Sequence, residues 1–228
     1  SLNTSYSNIG LIEDLKGNLD KTDSIYFQVY QKRMTRPKHE DILYSLSQLL
    51  SVEIRKNELS VAQSRLKEID TYYVGLSSDL RDKKGSLIRR NYGYSYLVFG
   101  AYYQSIKEYD KAIDYLTKSK KIMYDFPDEL TSLGSRFAEC YLGLNDLKMA
   151  EQVAKQNLQI KNLNKKEKKY NYKVLENVYK KKKLDAEIIK IKDSLILLSS
   201  SSFSSALANK LGKLEINLNL AESKRLIN

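Results

Sequence analysis

Apolar residues recur along this chain at three- and four-residue intervals, with no run of strict alternation of the kind that marks a half-buried strand. Between Asn8 and Thr35, the positions Ile9, Ile12, Leu15 and Leu19, then Ile25 and Val29, trace a helical stripe. Leu46, Leu49 and Leu50 are followed by Leu59, Ala62 and Leu66, with Asn57 and Glu58 as a polar break. Tyr96, Phe99, Gly100 and Tyr103 precede Ala112 and Leu116, and Glu108–Tyr109–Asp110 supplies the break. Phe137, Ala138 and Tyr141 precede Ala150 across Asn145–Asp146–Leu147, and Leu175 and Tyr179 precede Leu184 and Ala186 across Lys180–Lys183. Each block reads as helix, turn, helix. Gly100 and Ala112 are small where two antiparallel helices must approach, and Phe99, Tyr103 and Leu116 fill the space around them. Pro127, with Asp128 and Glu129 behind it, suits a helix start, where a missing N–H costs nothing and acids complement the dipole.

The spacing within Tyr96–Ser119 (YLVFGAYYQSIKEYDKAIDYLTKS) is that of a tetratricopeptide repeat, and the chain resembles that family. A second copy follows 38 residues later. The usual period is about 34, so the surplus is roughly one helical turn. Ala62 precedes Ala112 by 50 residues, which implies a long connection around Gly75–Gly85. One such unit cannot bury its own apolar face, so neighbours are required. The expected fold is all-α: a tetratricopeptide-repeat superhelix, an α-α solenoid, with a long C-terminal helix. Residues 1–37 are expected to form a degenerate capping hairpin, 38–198 about four repeat hairpins, and 199–228 a capping or signalling helix.

Composition agrees with a helical array. The 228 residues include only 2 Pro and 9 Gly, and 18 Tyr against 5 Phe and no Trp imply core aromatics that keep one end near water. Cys140 is the single cysteine, which rules out an internal disulfide, and its place beside Tyr141 marks it as a small core residue. The only histidine, His39, lies far from it in sequence, after Pro37. No glycine-rich phosphate loop, His/Cys metal cluster or histidine-based triad is present, so no catalytic site, cofactor or metal is expected. No apolar stretch approaches the roughly 18 residues that cross a bilayer. Membrane attachment is expected only through segments outside this sequence, which begins at Ser1 and reads as a processed or excised chain.

The net charge of +11 is concentrated. Lys155–Lys192 holds thirteen Lys and four acids, a net of +9. That segment reads as a solvated helix face, as a face for an anionic membrane or acidic partner, or as a nucleic-acid contact. The preference for Lys over Arg and the lack of a recognition-helix pattern weigh against the last.

The first helix of each repeat lines the concave side of a solenoid. This places Tyr44, Ser47 and Arg55 in the groove from the first copy, then Tyr94, Leu97, Ala101 and Gln104 from the second. Ser132, Ser135 and Glu139 follow from the third, and Tyr170, Lys173, Asn177 and Lys180 from the fourth. The groove would be aromatic at one end and cationic at the other, and suits a protein or an extended peptide of some acidic character. Farther on, Leu207, Leu211, Leu214 and Leu218 form a near-heptad seam that can cap the array or pair two chains into a homodimer.

The run Ile188–Leu195, IIKIKDSL, followed by the serine-rich joint Ser199–Ser205 and a long helical run, resembles the amino-terminal sensor regions of membrane-linked signalling proteins of the Bacteroidetes group. In that family, tetratricopeptide repeats lead through a long helix to a membrane span and then to a histidine-kinase or helix-turn-helix output domain. The resemblance implies a non-enzymatic, protein-binding sensor region of a larger signal-transduction or transcription-regulating protein, on the periplasmic or extracytoplasmic side. A cytoplasmic repeat adaptor or peptide-responsive regulator is the alternative, and nucleic-acid binding through the lysine-rich segment is a further one.

Overall fold

The structure is a computed structural model that describes residues 2–200. The expected terminal helix, with Leu207, Leu211, Leu214 and Leu218, lies outside the described residues beyond its first two positions. Among the described residues there are helices and no strand. They are α1 (Leu2–Leu15), α2 (Leu19–Met34), α3 (His39–Arg55), α4 (Leu59–Val74), the short α5 (Ser78–Arg81), α6 (Leu87–Ser105) and α7 (Tyr109–Ile122). A 3-10 turn at Met123–Asp125 leads to α8 (Pro127–Gly143), α9 (Leu147–Leu158) and α10 (Lys165–Lys182), and a last helical stretch covers 185–200. The chain divides into two compact units at Asp146/Leu147.

The periodicity is written most plainly in the turns. Gly17, Asn57, Lys107, Asn145 and Lys183 all have positive φ, between 56° and 81°. At each, two hydrogen bonds close the same motif. The N–H of Asn57 donates to the carbonyl of Ile54, and the N–H of Glu58 to that of Glu53; Lys107 and Glu108 repeat this on Gln104 and Tyr103. Gly17/Asn18, Asn145/Asp146 and Lys183/Leu184 do the same. Each is a Schellman cap, in which a left-handed residue satisfies the last carbonyls of a helix and ends it. The turn read as Glu108–Tyr109–Asp110 therefore pivots on Lys107, and Tyr109 is already the first residue of α7. Lysine has no local hydrogen bond that favours the left-handed region. Lys107→Gly should accordingly raise stability by about 0.5–1 kcal/mol, seen as a higher urea midpoint by circular dichroism.

In the first unit, α1 packs on α2, α2 on α3, α3 on α4 and α6, α6 on α7, and α7 on α8. Leu43, Leu46, Leu50, Ala62, Ile69, Phe99, Ala112, Leu116 and Leu133 form its core, each fully or almost fully buried. Full burial of a large apolar side chain is worth about 1.5–3 kcal/mol. Gly100 sits at a close approach of α6 and α7: a Cβ there would lie 2.8 Å from Leu116 Cγ and 3.3 Å from the Ala112 carbonyl oxygen. The α3–α6 crossing is equally close but polar, with Ser47 Oγ 2.7 Å from Ser95 Oγ and the Asn91 amide donating to the Glu40 carbonyl at 2.9 Å. The connection between α4 and α6, which stretches the Ala62-to-Ala112 spacing to 50 residues, holds α5, and the Tyr73 hydroxyl ties it down by donating to the Arg81 carbonyl at 3.0 Å.

In α1 the Ile9, Ile12 and Leu15 stripe is exposed. The helix instead packs through Gly10, whose missing Cβ leaves room for the Tyr26 ring, and through Glu13. Glu13 accepts from Asn18 Nδ2 at 2.8 Å and Lys16 Nζ at 2.9 Å, and these bonds hold its carboxyl down at about 2.

The second unit packs α9 on α10. Ala150, Ala154, Val174, Leu175, Val178 and Tyr179 are its buried apolar residues there, with an amide bond from Asn157 Nδ2 to Asn171 Oδ1 at 3.1 Å among them.

Candidate functional site

A helix turns about 100° per residue, so positions spaced 4, 3 and 4 apart share one face. On α3 that face is Tyr44, Gln48, Ser51 and Arg55. With Arg90, Asn91 and Tyr94 of α6, Tyr26 of α2, and Leu11 and Asp14 of α1, it encloses a cavity of about 280 Å³ in the first unit. Tyr44 and Tyr94 stand 39 % and 36 % exposed at its edge. The Arg33 guanidinium lies 5.7 Å from the centre of the Tyr44 ring and is held by Ser45 Oγ at 2.6 Å.

The floor of the cavity is polar. Arg55 Nη1 meets Asp14 Oδ1 at 2.5 Å, joining α3 to α1, and Arg55 Nε donates to the Ser51 carbonyl at 3.2 Å. Gln48 Nε2 donates to Tyr44 Oη at 3.3 Å, while Gln48 Oε1 is buried and has no hydrogen-bond partner among the described residues. Burial, with the Asp14 charge adding to it, pushes the Tyr26 hydroxyl up to about 12, so it remains a hydrogen-bond donor at any physiological pH. The cavity thus offers aromatic faces, paired charges and one unfilled acceptor. Groups of these kinds can hydrogen-bond and stack against a segment of chain.

Three of the expected groove residues, Tyr44, Arg55 and Tyr94, meet at this cavity. Ser47 does not: it is fully buried against α6, one residue and about 100° away from Gln48, the residue that does face the cavity. Leu97 belongs to the main core, and Ser135 is buried with its hydroxyl donating to the Ser132 carbonyl at 3.1 Å. Gln104 and Glu139 are brought together instead, hydrogen-bonded across α6 and α8, with Arg136 Nη1 donating to Gln104 Oε1 at 3.3 Å. Tyr170, Lys173, Asn177 and Lys180 lie exposed on α10, in the second unit. Gln48, Ser51, Asp14 and Arg90 are absent from the sequence-derived groove. The first two follow from continuing the Tyr44–Arg55 row at helical spacing; Asp14 and Arg90 carry no local signal.

Cys140 is fully buried, and burial pushes its thiol up to about 12, which keeps it protonated and inert. His39 Nδ1 lies 2.9 Å from Tyr72 Oη. Among the described residues no helix is long and apolar enough to cross a membrane, and no three His, Cys, Asp or Glu side chains cluster as metal ligands.

No family profile matches the sequence, and no curated protein does. Solved structures do resemble the fold. BtubC (BKLC) from P. vanneervenii superposes with a TM-score of 0.67 at 11 % identity, over 86 % of this chain and 79 % of that one. A single-substitution form of a putative kinesin light chain with nearly identical TPR-like repeats, from Podosopora anserina, gives 0.63 at 13 % identity, over 88 % and 96 %. A second structure of that protein gives 0.61 at 12 % identity, over 87 % and 95 %. The chain has a tetratricopeptide-like repeat fold. At these identities the likeness speaks to the fold alone. It accounts for the five equivalent turns, and for Gly100 and Ala112 as the small residues of the best-formed repeat.

Proposed function

We propose that this protein is a non-enzymatic scaffold that binds a protein or extended peptide, and that the cavity between α1, α2, α3 and α6 is its principal contact. The observation that carries the reading is the unfilled Gln48 Oε1 beneath two exposed tyrosines, in a concavity of about 280 Å³. A peptide N–H reaching Gln48 would satisfy that acceptor, and Tyr44 and Tyr94 would cover the bound side chain. Tyrosine is among the residues that most often dominate an interface. The repeat fold supports the same role, since stacked hairpins present extended surfaces suited to chains.

The test is selection of peptides from a random library on the purified protein, followed by affinity measurement on the variant Tyr44→Ala/Tyr94→Ala. Both side chains are partly exposed, so the fold should survive, and affinity should fall about thirtyfold or more, the loss of a moderate hot spot. Selected peptides that bind the variant as tightly as the parent protein would place the contact elsewhere.

We also infer that the scaffold is the sensor region of a larger signalling or transcription-regulating protein. The support is the sequence resemblance at Ile188–Leu195 and the serine-rich joint after it. The complete reading frame decides this. A signal peptide with a membrane span supports an extracytoplasmic sensor, whereas their absence favours the cytoplasmic adaptor.

A further inference from the structure

The second unit carries a surface of different chemistry. Lys166, Lys169, Tyr170, Lys173, Asn177 and Lys180 of α10 are all exposed, and their spacing sets them along one side of the helix. Three acids of this unit already hold lysines. Glu151 pairs with Lys155 and Lys182, both at 2.5 Å, and those bonds hold its carboxyl at about 2. Glu176 pairs with Lys180 at 2.7 Å, and Glu187 with Lys190 at 2.9 Å. Lys166, Lys169 and Lys173 have no carboxylate partner among the described residues. Like charges three and four residues apart on a helix repel each other. The row therefore weakens α10 by itself, and an anionic partner would relieve that repulsion.

We propose that this lysine row docks an acidic segment of a partner protein, about seven residues long and extended. The length follows from geometry. From Lys166 to Lys180 the row runs roughly 21 Å along the helix, which an extended chain covers in about six or seven residues. The chemistry separates this partner from other anions. A bilayer surface calls for apolar side chains beside the cations, and this face has only Tyr170 to insert. Nucleic acid favours Arg, whose planar fork matches phosphate, and α10 contains none. Lysine ammonium groups are point charges that donate to carboxylates in many directions, and the exposed Asn177 amide and Tyr170 hydroxyl add groups that can bond a peptide backbone. The surface shares no residue with the tyrosine-lined cavity of the first unit.

The experiment uses a fluorescently labelled heptaglutamate peptide, with phosphatidylserine vesicles and a short DNA duplex as competing anions. The full chain should bind heptaglutamate, and the variant Lys166→Glu/Lys169→Glu/Lys173→Glu should bind it at least about tenfold more weakly. The charge-matched control Lys67→Glu/Lys83→Glu/Lys84→Glu, with all changes in the first unit, should stay within about twofold of the parent at about 0.15 M salt, where net charge alone contributes little. The cavity variant Tyr44→Ala/Tyr94→Ala should bind heptaglutamate normally, which separates this surface from the other. Circular dichroism confirms that each variant is folded. Equal loss in the row variant and the charge-matched control would reduce the effect to net charge and overturn the proposal. So would an absence of heptaglutamate binding, or tighter, row-dependent binding of the vesicles or the duplex.

Discussion

Replacing Arg65 with methionine should cost the first unit about 3–5 kcal/mol, a large fraction of the whole stability of a typical domain. Arg65 is the hub of a part-buried network across three helices. Its Nε and Nη2 donate to Glu53 Oε1 of α3 at 3.1 and 2.8 Å, and its Nη1 to Glu68 Oε2 of α4 at 2.6 Å. Glu68 in turn accepts from the Tyr30 hydroxyl of α2 at 2.8 Å. The Glu53 side chain is only 3 % exposed. Burial pushes its carboxyl above the ordinary range, and the bonds from Arg65 oppose that push. Without the guanidinium, a carboxylate stays in the core with no cation beside it.

The pH dependence identifies the cause. In the variant, Glu53 has a folded pKa raised above its unfolded value of about 4.3. Below that value both states hold the proton and the penalty is absent; it grows as pH rises through the window between the unfolded and the folded pKa. Urea titrations of Arg65→Met should show a smaller loss at about pH 4 than at about pH 7. The double variant Glu53→Met/Arg65→Met should recover most of the stability, because a well-packed apolar pair replaces a buried ion pair at little cost. Arg65→Lys should rescue only in part, since one ammonium cannot reproduce the forked contact with both carboxylates. A loss under about 1 kcal/mol, or one independent of pH, would show the network to be ornamental to the fold.

Nothing in the sequence announces that network. Glu53 and Arg65 are 12 residues apart and belong to no motif, and their contact exists only because the Schellman turn at Asn57 folds α4 back on α3. What the chain discloses in advance is local. Gly100 and Ala112 fall at the repeat spacing because a close helix approach tolerates only small residues, and the contact of Leu116 with Gly100 shows that constraint directly. The groove is half legible for the same reason. Tyr44 and Arg55 lie on the row that helical periodicity defines. Ser47 stands one position off it, and about 100° of rotation moves a side chain from the cavity to the α3–α6 contact. Leu97 and Ser135 fail differently: the template marks them as facing the groove, and neighbouring helices bury them. Which carboxylate neutralises which lysine is likewise a matter of tertiary placement. The thirteen lysines of Lys155–Lys192 are informative only beside the pairing of Glu151 and Glu176 with Lys155, Lys182 and Lys180.

The second large effect tests whether the core and the cavity are separable. Phe99→Ala should also cost about 3–5 kcal/mol. The ring is almost fully buried, with its centroid 5.1 Å from that of Tyr115, 5.4 Å from Tyr103 and 6.1 Å from Tyr102. Gly100 beside it has no side chain to swing into the space, and Tyr103 and Tyr115, stacked on one another, hold the walls apart. The hole therefore cannot collapse, which is the condition for a loss at the upper end of the range. Phe99→Leu should cost much less, because it keeps most of the volume. For a unit of this size, a loss of about 3–5 kcal/mol corresponds to a fall in Tm of roughly 10 °C. Phe99 lies five residues and about 140° around α6 from Tyr94, so its loss should not reshape the cavity. Peptide binding by Phe99→Ala at about 10 °C, near the usual maximum of stability, should match the parent protein and then disappear at the lower Tm. Tyr94→Ala should do the reverse, losing affinity at every temperature while melting with the parent. If Phe99→Ala lost affinity in the cold while still folded by circular dichroism, the aromatic core of α6 and α7 would be part of the recognition surface, and the division between scaffold and site along α6 would not hold.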